Sequence, residues 1–207
     1  MAAKKTSIFN IIAPVYVLFY KKQKKHYSLV FERVCDHIDL KMYDTVLDVG
    51  CGTGALCSVF NEKKYLVTGI DPAEKMLYYA KKQPGNKKIR FIRANVLEQL
   101  PFCDREFDIS IASYVAHGLR KDERKKMYAE MSRVSKSKVI IYDYNQNRTP
   151  IISMIEWLER GDYFGFIKDA KNEMANCVSE MKECFSEIKI VDVDRRASWY
   201  ICTPIHF

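Results

Sequence analysis

The chain has 207 residues, of which 48% are hydrophobic and 29% charged, and its formal net charge is +8. This length fits one α/β domain with an insertion, and the composition is that of an ordinary globular protein. Its seven cysteines are odd in number and contain no C-x-x-C pair. That pattern argues against a disulfide framework and a zinc site, so we expect reduced thiols, no metal and a cytoplasmic location. The apolar run at 8–20 is too short to span a bilayer.

Residues 1–41 are predicted to form an N-terminal helical cap. A short apolar helix begins at Ile8 and is expected to stop or kink at Pro14. Apolar residues from Tyr27 to Ile38 recur at helical spacing and predict a second helix over 20–39. The cap carries eight lysines and arginines and three acids. We interpret this basic face as a solvated helix surface, with contact to nucleic acid or anionic lipid as the alternative.

Strands and helices alternate through the middle of the chain. Helices are expected after the first, second and fourth strands, the last of them over 121–134, and one turn of helix is expected at 97–101 after the third. Such alternation indicates a parallel sheet covered by helices on both faces, wound doubly by right-handed crossovers. The five predicted strands cover residues 44–49, 65–70, 89–94, 107–112 and 138–143.

The alternation ends after Tyr144. Two helical stretches, at 150–160 and 162–181, follow without a strand between them, so residues 145–181 are predicted to form a helical insertion or lid. The last two predicted strands, at 186–193 and 197–203, are joined by only a few residues. A connection that short requires an antiparallel hairpin.

A glycine-rich turn follows the first strand and is the main candidate binding site. Gly50, Gly52 and Gly54 alternate, and such a turn lets a ligand approach the backbone before a helix N-terminus. The second strand ends on Asp71, which can accept hydrogen bonds from both ribose hydroxyls of an adenosine cofactor. The glycines fit G-x-G-x-G and also the looser dinucleotide pattern G-x-G-x-x-A. Asp48 favours the first reading, because it would repel a pyrophosphate but can hold an ammonium group.

Four segments together resemble the motifs of the class I S-adenosylmethionine-dependent methyltransferases. They are Val46–Gly54, Gly69–Leu77, Phe107–Ser113 and Glu130–Val134, and Phe9–Tyr16 is similar to the N-terminal segment of many small-molecule members. The resemblance covers residues 8–145 and implies a Rossmann-like, seven-stranded sheet whose last strand is antiparallel, with N-terminal helices and a helical insertion before the last two strands. It implies a single methyltransferase domain over 1–207 that uses S-adenosylmethionine.

The resemblance also implies a role for each matching residue. Asp48 would lie near the cofactor's ammonium group, Asp71 would take the ribose hydroxyls, and Tyr16 would close over the cofactor. Two positions depart from the family pattern: Asn95 replaces the usual acid, and Val17 replaces the aspartate that often follows the tyrosine. The implied cofactor-binding residues are Tyr16, Asp48, Gly50, Cys51, Gly52, Asp71, Pro72, Met76, Asn95, Val96 and Ser113.

The methyl acceptor is less specified by the sequence. His117 is a candidate general base and Tyr144 a candidate pocket residue; the alternatives are a histidine bonded to a backbone carbonyl and a tyrosine of the core. Further pocket candidates are Tyr114, Asp143, Trp157, Tyr163 and Phe164. The polar loop after Tyr144 lacks an Asn-Pro-Pro-aromatic tetrad, which counts against DNA amino methylation. The sequence also lacks a separate RNA-binding module, which argues against a nucleic-acid partner. We expect a small-molecule acceptor, with an RNA or protein methyltransferase, or a non-catalytic cofactor-binding protein, as alternatives.

Overall fold

The computed structural model describes residues 2–145, 170–195 and 197–205. The helices are α1 (Ala2–Tyr16), α2 (Tyr20–Val34), α3 (Ala55–Glu62), α4 (Glu74–Lys82), α5 (Lys121–Val134) and α6 (Ala170–Cys184). The strands are β1 (Thr45–Val49), β2 (Leu66–Asp71), β3 (Arg90–Arg93), β4 (Phe107–Ser113), β5 (Ser135–Tyr144), β6 (Phe185–Asp192) and β7 (Ala197–Pro204).

The seven strands form one sheet in the order β3-β2-β1-β4-β5-β7-β6. β1 to β5 pair in parallel, and β7 runs antiparallel to both β5 and β6. The predicted doubly wound sheet with an antiparallel last strand is therefore confirmed. Among the described helices, none combines the length and apolar character that crossing a membrane requires.

Helices cover both faces of the sheet, so its central strands are buried on both sides. On one face, Phe31 of α2 and Phe60 of α3 pack edge to face, with ring centroids 5.4 Å apart, over Val46 of β1. On the other face, Met131 of α5 and Met181 of α6 belong to a second buried cluster. Burial on both sides explains why the inner strands are continuous runs of β-branched and apolar residues.

Three predicted elements differ from the structure. α1 does not stop at Pro14 but continues to Tyr16, and a 3₁₀ turn at Val17–Phe19 then joins it to α2. The packing of Ala13 and Tyr16 against α4 holds this last turn despite the proline. α2 ends at Val34, earlier than predicted, since the amides of His37 and Ile38 both bond back to the Val34 carbonyl at 2.9 and 3.1 Å. Residues 97–101 form a turn instead of a helix.

A buried ion pair joins α5 to α6. The Arg124 guanidinium donates two hydrogen bonds to the Glu180 carboxylate, at 3.0 and 3.2 Å, and both side chains are almost fully buried. A third donor nitrogen of Arg124 bonds to the Leu119 carbonyl at 2.9 Å. This pair fixes α6, the helix that leads into the hairpin of β6 and β7, against the sheet.

Removing the guanidinium should leave a buried carboxylate without its partner. We expect Arg124→Met to lower the free energy of unfolding by about 3–5 kcal/mol, measured by urea denaturation. The double variant Arg124→Met/Glu180→Met should recover most of that loss. Lys125→Met is the matched control, because the Lys125–Glu183 pair is exposed; it should leave stability nearly unchanged. A small loss in Arg124→Met equal to the control would contradict the assigned role.

Candidate active site

The candidate site lies at the carboxyl edge of the central strands. Val49, the last residue of β1, pairs with Ile70 on one side and Ala112 on the other, so β1, β2 and β4 end together. β1 is the strand at which the order of the sheet reverses, because β2 and β3 lie to one side of it and β4 and β5 to the other. In open α/β sheets this position forms the ligand-binding crevice.

The glycine turn is held in a conformation that other residues rarely adopt. Gly50, Gly52 and Gly54 have φ angles of +70°, +51° and +77°. A Cβ on Gly50 would lie 2.6 Å from a methyl of Val115, and one on Gly54 would lie 2.6 Å from the amide nitrogen of Asn86. A Cβ on Gly52 would have no atom within 4 Å. The two ends of the turn are therefore packed against Val115 and Asn86. The turn is open at Gly52, where a ligand can reach the backbone.

Asp71 connects this turn to the end of β2. Its carboxylate accepts hydrogen bonds from the backbone amides of Gly52, at 2.9 Å, and Ala73, at 2.8 Å. Burial raises the pKa of Asp71 to about 6, although both amide bonds oppose the shift. Each carboxylate oxygen can accept a second hydrogen bond, so the group still has capacity for ligand hydroxyls.

Asp48 lies directly beneath the turn and is 1% exposed. Its carboxylate accepts a hydrogen bond from the Cys57 thiol at 3.0 Å. Burial, together with the negative charge of Asp71, raises the pKa of Asp48 to about 7. Two buried carboxylates in one crevice favour a ligand with positive charge and disfavour a pyrophosphate.

The cap supplies one wall beside β2. Tyr16 of α1 packs in a small cluster with Ala73 and Met76, and Pro72 lies in the same connection between β2 and α4. α1 also caps α4, since the Asn10 side-chain oxygen accepts a hydrogen bond from the Lys75 amide at 2.9 Å. The predicted Tyr16 and Met76 are thus brought together.

The connection after β3 places Asn95 and Val96 at the same edge. The Asn95 side chain organises its own turn, because its oxygen accepts from the Leu97 amide at 3.1 Å and its nitrogen donates to Glu98 at 3.3 Å. Val96 is buried in the core beside it. The Asn95 side-chain nitrogen has two N–H donors, so it can keep the Glu98 contact and still donate to an adenine ring nitrogen.

A tyrosine network lies below the end of β4. Ser113 donates a hydrogen bond to the Tyr27 hydroxyl at 3.0 Å. Tyr114 has a φ of +56°, uncommon for a tyrosine, and donates to the Tyr142 hydroxyl at 3.2 Å. The imidazole of His26 lies 2.8 Å from the same Tyr142 hydroxyl. These bonds tie α2 to the ends of β4 and β5.

His117 and Asp143 form a pair on the opposite face of the sheet. The imidazole Nδ1 lies 2.9 Å from one carboxylate oxygen, and the His117 backbone amide donates to the other at 3.1 Å. The ring of Tyr144 lies 5.0 Å from the imidazole, and its own amide also donates to Asp143. The pair borders a cavity of about 10 Å³ between β5, α5 and α6, which is no larger than one water molecule requires.

Comparisons with known proteins agree with this geometry. A family model described as a methyltransferase domain matches residues 46–138. An uncharacterized methyltransferase of Alkaliphilus oremlandii is 22% identical over 88% of this chain and 86% of its own. The 2-phytyl-1,4-beta-naphthoquinone methyltransferase of Arabidopsis thaliana is 31% identical over 73% of this chain and 62% of its own. The chain belongs to the class I S-adenosylmethionine-dependent methyltransferases.

A solved structure supports the fold of this methyltransferase. The putative S-adenosyl-L-methionine-dependent methyltransferase of Methanococcus maripaludis superposes with a TM-score of 0.71, covering 96% of this chain and 94% of its own at 18% identity. The likeness therefore spans the cap and the terminal hairpin as well as the residues of the family model.

His26, Tyr27 and Tyr142, which join the hydrogen-bonded network below the end of β4, are not among the residues that the sequence predicts for the site. The sequence predicts Tyr27 only on the apolar face of the second helix and Tyr142 only within the fifth strand. For the two tyrosines, the sequence feature that could have identified them is a hydroxyl on an otherwise apolar face. Trp157, Tyr163 and Phe164, the pocket candidates of the insertion, lie outside the described residues, as does the helix predicted at 150–160.

A second groove, of about 860 Å³, lies at the opposite edge of the sheet. Lys64, Lys88 and Arg90 contribute to its lining, and none of the predicted site residues does. Its size does not make it the active site, because the strand ends and the glycine turn converge at the other edge.

The raised pKa of Asp48 predicts a pH dependence of stability. Between about pH 4 and pH 7 the folded cofactor-free protein keeps a proton on Asp48 that the unfolded chain releases, so stability falls as pH rises through this window. In Asp48→Asn, the free energy of unfolding should fall by about 4 kcal/mol less across this pH window than it does in wild type, as measured by urea denaturation. Asp71 contributes with the same sign and should leave a smaller residual slope.

The control is Asp36→Asn, whose side chain is exposed at the end of α2. It should follow the wild-type curve of stability against pH. Identical curves for wild type and Asp48→Asn would show that this carboxyl does not titrate upon folding.

Proposed function

We propose that this methyltransferase binds S-adenosylmethionine at the glycine turn and transfers its methyl group to a small-molecule acceptor. One observation carries the proposal: Asp48 and Asp71 are buried together beside a turn that is open at Gly52. S-adenosylmethionine carries a positive sulfonium, a positive ammonium and a ribose. Two buried carboxylates complement the positive groups and the ribose hydroxyls of this cofactor.

Each element at the carboxyl edge then has a part in holding the cofactor. Asp71 accepts the ribose hydroxyls while it keeps the Gly52 and Ala73 amides in place, and Asp48 faces the ammonium, directly or through water. Tyr16 closes the pocket from α1. The remaining proposed contacts are the backbone of Gly50, Cys51 and Gly52, the adenine-side residues Pro72, Met76, Asn95 and Val96, and Ser113 beside the methionyl portion.

The chain has little covalent chemistry to perform. When bound, S-adenosylmethionine supplies a methyl group on a positively charged sulfur, already a strong electrophile. The protein needs to align the acceptor in line with that bond and to exclude water. If the acceptor must lose a proton, Asp143 holds His117 by Nδ1 and so orients the other ring nitrogen, Nε2, as the base. Tyr144 packs on this imidazole and limits its movement.

A small molecule is the acceptor that the similarities favour. The Arabidopsis relative is a naphthoquinone methyltransferase by name, and this chain aligns with 62% of its length. An RNA or protein acceptor and a non-catalytic role are the other two hypotheses. RNA binding would weaken steeply with salt, and a non-catalytic protein would bind the cofactor tightly without turnover on any acceptor.

The cofactor assignment is tested at Asp71. We expect Asp71→Ala to weaken S-adenosylmethionine binding by at least about tenfold, since two charge-assisted hydrogen bonds to the ribose are lost. Isothermal titration calorimetry measures the affinity, and a thermal melt of the cofactor-free variant reports whether the turn has loosened. Asp36→Ala removes an exposed carboxylate and should bind like wild type. Unchanged affinity in a folded Asp71→Ala protein would refute the assignment.

The base assignment is tested once an acceptor is found by screening metabolites with labelled cofactor. For an acceptor that loses a proton, His117→Gln should lower kcat by about a hundredfold and remove the ionisation of the base from the pH profile. Asp143→Asn should reproduce part of the loss, because it frees the imidazole to take the wrong tautomer. His37→Gln, on an exposed histidine, is the control. A wild-type pH profile in His117→Gln would assign His117 to structure alone.

A further inference from the structure

The outer side of the N-terminal cap carries an apolar stripe followed by lysines. The apolar stripe consists of Ile11 and Val15 of α1 and of Leu18 and Phe19 of the 3₁₀ turn. Lys21, Lys22 and Lys25, the basic row, follow in the first turns of α2 and are exposed. We propose that the apolar stripe and the basic row dock the protein on the surface of an anionic lipid bilayer.

The stripe is exposed although it contains four large apolar side chains. Ile11, Val15, Leu18 and Phe19 are 70%, 57%, 78% and 52% exposed. Their spacing of four, three and one residues places them on one side of the helical segment. Single exposed apolar residues are common, but a contiguous row of them marks an interaction surface.

The inner side of the same segment already packs against α4. Asn10 and Tyr16 are the polar side chains of residues 8–19, and both face α4: Asn10 bonds to the Lys75 amide, and Tyr16 packs with Met76. The inner side of residues 8–19 therefore holds both polar side chains together with Phe9, Ile12 and Ala13, while the outer side carries the apolar stripe. A helix that is apolar on both faces is expected to be covered on both.

Charge identifies the covering surface. Residues 1–31 contain six lysines and no aspartate or glutamate. Lys24, beside the basic row, pairs with Glu62 of α3, whereas Lys21, Lys22 and Lys25 are exposed and form no ion pair within the described part of the chain. Lysine is depleted at protein–protein interfaces, whereas lysines next to an apolar helical face attract anionic headgroups. A bilayer also accommodates apolar side chains without a complementary pocket.

Docking would bring the active site to the membrane surface. α1 contacts the wall of the cofactor crevice with one face, and a helix is only about 10 Å across, so the opposite face brings that crevice close to the headgroups. Docking itself requires no methyl transfer. Its test is consequently independent of the proposed function, and either can fail without the other.

Vesicle co-sedimentation of the full chain tests the proposal. Wild type should bind vesicles of phosphatidylcholine with phosphatidylserine, bind phosphatidylcholine alone weakly, and dissociate as salt is raised. Leu18→Ser/Phe19→Ser should weaken binding by at least about tenfold, because two side chains lose their transfer from water. Lys21→Gln/Lys22→Gln should weaken it by about fivefold per lysine at low salt, while the apolar stripe remains intact.

Two control variants match these changes elsewhere on the surface. Met42→Ser/Leu66→Ser alters residues that are 77% and 70% exposed, and Lys87→Gln/Lys88→Gln removes two exposed lysines beyond α4. Both should bind vesicles like wild type. The proposal is overturned if wild type binds neither vesicle, or if the controls lose as much as the stripe variants. A third result would also overturn it: wild type binds no vesicles but forms a dimer in sedimentation velocity, and Leu18→Ser/Phe19→Ser dissociates that dimer. In that case a second copy of the chain covers the apolar stripe.

Discussion

The carboxylate of Asp71 is the interaction on which the site depends. It bonds to the Gly52 amide in the turn after β1 and to the Ala73 amide before α4. Those two amides belong to different strand–helix connections, which the parallel sheet brings to one edge. One side chain thereby fixes the spacing of the two backbone segments between which a nucleoside would lie. The left-handed glycines make the connection sterically possible, since a Cβ on Gly50 or Gly54 would displace its neighbours.

This arrangement is electrostatically unfavourable without a ligand. Burial raises the pKa of both Asp48 and Asp71, and the negative charge of Asp71 raises that of Asp48 further. Ionising these buried carboxyl groups in the empty site lowers the free energy of unfolding. A bound cation lowers the cost of ionising both groups, so this free energy contributes to its binding. The same electric field excludes a pyrophosphate. A turn that resembles a dinucleotide motif in its glycines is thus made selective by the acids around it.

Sequence reasoning was sufficient where structure depends on local residue types. β1, β2 and the glycine turn follow from β-branched runs, glycines and Asp71, and α5 begins and ends where its pattern predicted. It failed where packing between distant segments decides. Contacts of Ala13 and Tyr16 with α4 carry α1 past Pro14. The bond between His26 and Tyr142 depends on how α2 crosses β5, and no periodicity in either element encodes that crossing.

The two halves of the site therefore differ in how they are specified. The cofactor half is built from consecutive strand–turn–helix units, so its residues recur at fixed spacing and identify the family. The proposed acceptor half would depend on segments that meet only through tertiary contacts, such as Ser113 at the end of β4 with Tyr27 of α2. α1 serves both halves: its inner face supports the crevice, and its outer face is exposed apolar surface. Since Asn10 and Tyr16 already make contacts with α4, the apolar stripe on the outer face is not needed to hold α1 in place and is available for the proposed membrane contact.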